Sequence, residues 1–355
     1  PHCRRRFAAQ VGGSLPETID WEDPHWVSFQ RKREEWLVEF AWHITNTIRR
    51  VAPAVSIQHQ ASTYMANWRF GVTDTLAAAN DYLGGDFYGD ALEGSMVRKL
   101  FANLSPNLPY EFMTSFSTDL RNHTARKPRE LLQAKASACL ADGAAFLFID
   151  AIDPVGTLNP AVYERMGSIF AETQAYEPFA RGRLLQDVAL YLSTHSKCDL
   201  ADRGKGVDDP SLSSKMPHVT GLANVARALI EKHVPFGIIT QANLADLHRY
   251  QAVVLSDVVA LDVSEANALR AYVRAGGTLY ASKHTSLIRR DGVRLTDFQL
   301  GDLFGVSYVG ETDESFTYIA PARDGLLPDY SKKWPLGLAE SQLLVQARPG
   351  AQVLG

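Results

Sequence analysis

The residues best suited to chemistry stand where short apolar runs turn polar. In Gly84-Gly85-Asp86-Phe87-Tyr88 a carboxylate and a phenol follow two glycines, with Asp90 just beyond. Glycines without side chains let a ligand, or the chain itself, come close. Similar polar endings are His59 in Gln58-His59-Gln60, Glu111 and Thr114 in Pro109-Tyr-Glu-Phe-Met-Thr-Ser115, Asp150 after Ala144-Ala-Phe-Leu-Phe-Ile, and Asp153 shortly after it. Carboxylates at such places can move protons or attack an electrophile, and Trp68 and Tyr88 offer flat apolar faces. Each residue also has a plainer use. Asp86 can fix its own loop through backbone donors, Glu111 can be an ion-paired strand residue, Asp150 a cap, Asp153 a turn acid before Pro154, and the aromatics simple packing.

The elements that must position these residues follow from periodicity. Trp26, Phe29, Trp36, Leu37, Phe40, Ile44 and Ile48 recur at helical spacing between 24 and about 50, and Asp23-Pro24 makes a helix start. Strands are expected at 54–60, 81–88, 110–116 and 144–150, with helices at 73–79, 94–104, 128–142 and through 160–170. Strands alternating with helices require an α/β layer with right-handed crossovers. Every strand runs from apolar to polar toward its C-terminal end, at Gln58-His59-Gln60, Asp86, Ser115 and Asp150. In a barrel that end carries the chemistry.

Residues 178–185 read as a linker to a second α/β region. Its expected strands are 187–194, 235–240, 252–256 and 278–281, and its helices 219–233 and 264–275, the latter stopped by Gly276-Gly277. No G-x-G-x-x-G follows its first strand, so nucleotide binding lacks its usual sequence support. Beyond 305, strands at 306–309, 316–319 and 343–346 look too scattered to define a sheet.

Bulk properties narrow the classes. The 355 residues allow two or three domains, and 46% apolar composition supports packed cores. Lys plus Arg, 36, against Asp plus Glu, 40, leaves a net charge of −4, which argues against a nucleic-acid binder. No run of apolar residues is long enough for a membrane span. The chain opens on Pro1-His2 with neither an initiator methionine nor an apolar leader, so it reads as processed or cut, with a cytoplasmic location as the default expectation. Cys3, Cys139 and Cys198 form no disulfide framework; Cys139 reads as a core thiol.

Pro1-His-Cys-Arg4, Phe7, Asp23-Pro-His-Trp26, Asp86-Phe-Tyr88 and the 150–156 region resemble the part of family 42 β-galactosidases and related glycosidases that follows the fourth barrel strand. Asp153-Pro-Val-Gly-Thr-Leu158 is more similar to the related α-L-fucosidases. Leu269-Arg-Ala-Tyr-Val-Arg-Ala-Gly-Gly-Thr278 resembles part of that group's flavodoxin-like trimerisation domain, itself related in shape to class I glutamine amidotransferases. The likeness spans about residues 1–310 and is strongest in domain order. It implies the C-terminal half of a (β/α)8 TIM barrel over 1–178, a flavodoxin-like domain over 186–310 and a short β-rich segment over 311–355. Four strands cannot close an eight-stranded barrel, so the resemblance also implies a first half before Pro1, carrying the general acid in an Asn-Glu pair.

The implied activity is a retaining glycoside hydrolase acting on galactosides or fucosides, in a homo-oligomer, a trimer by the family pattern. Retention needs one carboxyl to donate a proton and another to attack. The family's nucleophile falls on Thr114 here. Glu111 lies three residues earlier and by strand alternation faces the other way, which leaves Asp86 the stronger candidate. His59, Trp68, Tyr88, Thr114, Asp150 and Asp153 are the candidate sugar-binding residues. No cofactor is implied. Structural zinc would need upstream cysteines, because Cys3 matches only the last position of the family's Cys-x-Cys-x-x-Cys. His195 and Cys198 do not make a thiol enzyme, since the amidotransferase nucleophile follows a later strand and Ala281-Ser-Lys-His284 lacks cysteine. The alternative is a non-catalytic carbohydrate-binding or assembly protein, which Thr114 favours.

Overall fold

Backbone hydrogen bonds set four parallel staves side by side in chain order. A computed structural model describes the chain apart from residues 1, 61, 120–121, 151–154, 181, 215 and 324; of residues 119 and 122–124 only the backbone is described. Helices α1 (His2–Gln10) and α2 (Pro24–Val51) precede the first stave, residues 57–59. The second, 83–87, follows a 3₁₀ turn over Asp74–Ala79. Next come α3 (Ala91–Leu104), strand β1 (Glu111–Ser115), the hairpin β2 (Ser117–Asp119) and β3 (Asn122–Arg126), then α4 (Arg129–Ala141), β4 (Ala145–Ile149) and α5 (Pro160–Thr173). Asp81 N–H donates to the Ile57 carbonyl, Glu111 and Met113 N–H to Leu83 and Gly85, and Phe87 N–H to Met113. β1 and β4 pair in parallel from Glu111 opposite Ala145 to Ser115 opposite Ile149.

The first two staves are less regular than the expected strands at 54–60 and 81–88. Side chains stand in for part of the ladder: Asp81 accepts from Ile57 N–H and Asn80 from His59 N–H. Asp23 caps α2, accepting from His25 N–H ahead of Pro24. The helix expected from 24 to about 50 is present as α2, and its buried stripe is only partly apolar. The stripe runs through Trp26, Val27, Gln30, Glu34, Ala41 and Thr45, while Phe40 is 61% exposed. Polar residues occupy buried positions because they bond to loops that arrive from far along the chain: Gln30 donates to the Trp68 carbonyl and Thr45 to that of Ala79.

The second sheet contains β5 (Val188–Tyr191), β6 (Phe236–Ile239), β7 (Ala252–Ser256) and β9 (Thr278–Ser282), all parallel in the order β6-β5-β7-β9. That order matches the beginning of a flavodoxin-like sheet. Helices α6 (Pro217–Glu231) and α7 (Val263–Arg274) flank it; a small pair, β8 (Ala260–Leu261) and β10 (Ile288–Arg289), and a short α8 (Gly301–Phe304) complete it. α7 is capped by a reciprocal Asp262–Glu265 box, and Gly276, at φ +97°, supplies the left-handed stop. The tail is more ordered than its scattered pattern suggests. β11 (Val306–Glu311) pairs antiparallel with β14 (Leu343–Ala347), and β12 (Thr317–Ile319) with β13 (Leu336–Leu338).

One apolar core joins the two sheets. Leu83, Phe87 and Phe112 of the first, with Phe101 of α3, share a cluster with Leu190, Phe236 and Ile238 of the second and Leu222 of α6. α3 lies between them, and its Asn103 donates to the Ile238 carbonyl. Cys139 is buried in this cluster.

Candidate functional site

Strand alternation divides the first sheet into a packed face and an open one. Phe112, Thr114 and Phe116 point into the helical layer, and Phe146 and Phe148 meet Phe170 of α5. Glu111, Met113 and Ser115 lie on the opposite face, where Leu147 is 46% exposed. Gln58 and Gly84 share that face with Glu111: a Cβ on Gly84 would lie 2.8 Å from Gln58 Nε2 and 3.1 Å from Glu111 Cβ. Gly85 is needed for the chain itself, since a Cβ there would meet the Ser62 backbone nitrogen at 2.8 Å.

A polar group forms at the C-terminal ends of the staves. Asp86, level with Met113, accepts from Gln60 Nε2 and, at 2.5 Å, from the Tyr88 hydroxyl. That bond and burial push the Tyr88 phenol up to about 12, burial contributing more. Tyr88 remains 42% exposed. Lys127, returned to the sheet by the β2–β3 hairpin, donates to the Ser115 carbonyl at 2.9 Å and to Ser115 Oγ at 2.8 Å, and its ammonium is 6.0 Å from the Tyr88 ring centre. Burial lowers the Lys127 pKa, with help from the Lys135 charge. Lys127 carried no sequence signal beyond standing in Arg126-Lys127-Pro128 ahead of a helix.

The remaining candidates divide sharply. Glu111 stands on the open face but at the start of β1, about 13 Å along the strand from its Ser115 end; burial raises its pKa. Thr114 faces the helices, fully buried, and its hydroxyl has no partner among the described residues. His59 is turned to α2, with Nε2 2.8 Å from Thr45 Oγ1. Trp68 is buried edge-on against Trp21 and Trp26, with ring centres 5.6 and 5.4 Å away, so packing has taken the face a sugar would need. Asp150 ends β4 with one buried carboxylate oxygen lacking a partner among the described residues. Asp90 caps α3. Asp153 lies outside the described residues. Of the candidates, only Asp86 and Tyr88 are thus joined at the strand ends. Thr114 and Trp68 are buried in packing and the partly exposed His59 is turned to Thr45, for reasons of strand parity or of long-range contact.

The C-terminal ends of the second sheet are polar too, but filled. Between β5 and β7, where a doubly wound sheet usually holds its ligand, residues 192–198 are buried and α2 closes over them. Arg31 donates to both Glu34 oxygens at 2.8 Å and to His195 Nδ1, also at 2.8 Å. Burial would raise the Glu34 pKa, but the Arg31 charge and surrounding hydrogen bonds outweigh it and hold the carboxyl well below its ordinary range. His195 is held down to about 4, by burial first and by Arg31 next. Lys197, buried and lowered to about 8 by burial, donates to the Tyr64 and Val72 carbonyls, each at 2.8 Å. His218 accepts from Ser193 N–H through Nε2 and therefore donates through Nδ1 to the Ser256 carbonyl, at 2.6 Å. Burial pushes the Cys198 thiol up to about 12, away from reactivity.

Among the described residues no group of three or more His, Cys, Asp or Glu is placed to hold a metal ion, and no helix is long and apolar enough to cross a membrane. Cys3 is exposed on α1.

No family model matches the sequence, and no curated protein matches it. Solved structures do match its fold. A β-galactosidase from Bacillus circulans sp. alkalophilus superposes with a TM-score of 0.79 at 13% identity, over 99% of this chain and 59% of that one. A family 42 β-galactosidase from G. stearothermophilus gives 0.71 at 13% identity, over 96% and 52%. α-L-Fucosidase isoenzyme 2 from Paenibacillus thiaminolyticus gives 0.64 at 20%, over 89% and 44%. The chain thus spans about half the length of the solved structures it matches. The fold is of the family 42 glycoside hydrolase kind, with a barrel-like layer of staves followed by a flavodoxin-like layer.

Proposed function

We propose that the protein is a glycoside hydrolase acting with retention on galactosides or fucosides, with residues 1–178 as the C-terminal half of its TIM barrel. The observation that carries the reading is the open cluster of Gln60, Asp86 and Tyr88 at the ends of consecutive staves, in a fold shared with β-galactosidases and an α-L-fucosidase. Asp86 would be the attacking carboxylate or would hold a sugar hydroxyl, and Tyr88 would orient it. Asp150, with an oxygen that has no partner among the described residues, would hold a further hydroxyl, and Asp153, three residues on, would assist it. The flavodoxin-like region, 186–310, would serve assembly into a homo-oligomer, a trimer by resemblance, readable by light scattering.

Retaining hydrolysis proceeds through a covalent glycosyl-enzyme, which a 2-deoxy-2-fluoro sugar traps. Incubating the intact protein with 2-fluoro galactosyl and fucosyl donors should add one sugar mass, mapped by peptide digestion to Asp86. A folded protein that gains no mass from either donor contradicts hydrolysis by this route. A second reading, carbohydrate binding without turnover, is favoured by the inward burial of Thr114, which leaves no carboxylate at the end of β1. Binding of galactose or fucose without labelling would select it.

A further inference from the structure

The feature at the open face that sugar chemistry alone leaves unused is an ammonium with no carboxylate partner among the described residues. Lys127 is half-buried and, among the described residues, bonded only to neutral oxygens, the Ser115 carbonyl and hydroxyl. No ion pair joins it to any described Asp or Glu. An ammonium has three donors, so one N–H remains beyond the two bonds to Ser115. Ser115 Oγ is committed in turn, donating to the Ser117 carbonyl at 2.9 Å, which holds the lysine at the strand end. Lys135 adds a second ammonium close by, donating to the Gly89 carbonyl at 3.0 Å, although Glu93 and Asp90 offset its charge. The Tyr88 ring stands beside Lys127 at 6.0 Å with its hydroxyl tied to Asp86. A sugar held beside Tyr88 would therefore meet a carboxylate at Asp86 and an ammonium that no described carboxylate pairs.

We infer that Lys127 selects sugars carrying an anionic substituent, a sulfate ester or a carboxylate, over their neutral counterparts. This deepens the glycosidase reading by naming the substrate class and rests on the sugar site assigned there. Burial of a cation without a counter-charge is unfavourable, and an anionic ligand relieves it by supplying one. The lowered pKa of the lysine agrees with that environment. The bonds to Ser115 alone could serve to close the hairpin neck, so the test must separate structure from recognition.

Calorimetric titration of the intact protein with galactose 6-sulfate, galacturonate and galactose reads binding without requiring turnover. At least one anionic sugar should bind about tenfold or more tightly than galactose, the sulfate and carboxylate arms deciding which anion is preferred. In Lys127→Gln that preference should vanish, while Lys127→Arg, which keeps the charge, should retain most of it. Circular dichroism on both variants checks that the hairpin and sheet persist. Equal affinity of the unmodified protein for all three sugars, or an anion preference that survives Lys127→Gln, overturns the inference. Hydrolysis of neutral glycosides with no anion preference would leave the glycosidase reading standing and this one fallen. Lys127-dependent anion binding without turnover would do the reverse.

Discussion

The two parallel sheets end alike in sequence and differently in space. Both close on polar residues: Gln60, Asp86 and Ser115 in the first, and Ser193, Thr194, His195 and Ser256 in the second. In the first, Asp86 and Tyr88 face an open surface. In the second the same kind of edge is sealed by Arg31 and Glu34 of α2, and its histidines are held neutral. Polar strand ends therefore mark a possible crevice, not a site. Whether the crevice is free depends on which other part of the chain docks there.

The largest effect expected of a single substitution lies in the sealed edge. Glu34→Ala would leave Arg31 buried beside His195 without its carboxylate and should cost about 3–5 kcal/mol of stability, read as a drop in the urea midpoint. The same group sets an acid limb. Its folded pKa lies below the ordinary 4.5, so its contribution is present above that value and lost as pH falls through the folded one. Glu34→Gln should flatten the fall in stability between about pH 5 and 3; an unchanged slope would mean the pair does not hold α2 down.

At the open edge the order reverses, with function moving and stability staying. Asp86→Asn should lower glycoside turnover by about a hundredfold or more, some 2.7 kcal/mol in the barrier, with stability within about 0.5 kcal/mol of the parent. Equal turnover in this variant removes Asp86 from catalysis. Thr114→Val tests the face assignment. The buried hydroxyl has no partner among the described residues, so its removal should raise stability by about 1 kcal/mol and leave sugar binding unaltered; weakened binding would turn Thr114 back toward the open side. The smallest change is Glu111→Gln. Burial raises this carboxyl's pKa, so its favourable contribution is present below the ordinary glutamate value and lost as pH rises through the folded one. Because the residue is partly solvated, the gain at pH 7 should be only a few tenths of a kcal/mol and absent near pH 4.

Much of the framework is readable without coordinates. Tight alternation in Glu111-Phe-Met-Thr-Ser115 separates Glu111 from Thr114, and the two do lie on opposite faces. The helix starts at Asp23-Pro24 and the stop at Gly276-Gly277 are local chemistry and fall where read. The apolar spacing over 24–50 does mark the helix α2, Pro24–Val51, but not its buried stripe, which is partly polar. Gln30 and Thr45 are satisfied by the Trp68 and Ala79 carbonyls, partners that periodicity within one helix cannot reveal. Lys127 escaped notice for the same reason, since its setting is made by Ser115 and Tyr88 across a hairpin.

By itself, then, the order of amino acids determined the alternation of strands and helices and the polarity of each strand's end, because these depend on neighbours a few residues away. It could not decide that Trp68 and Thr114 would be spent on packing and His59 turned to Thr45 while Asp86, Tyr88 and Lys127 met at one edge. Those outcomes turn on contacts between distant segments, such as Arg31 with His195, 164 positions apart. A polar group is left available only where no such segment arrives to bury it.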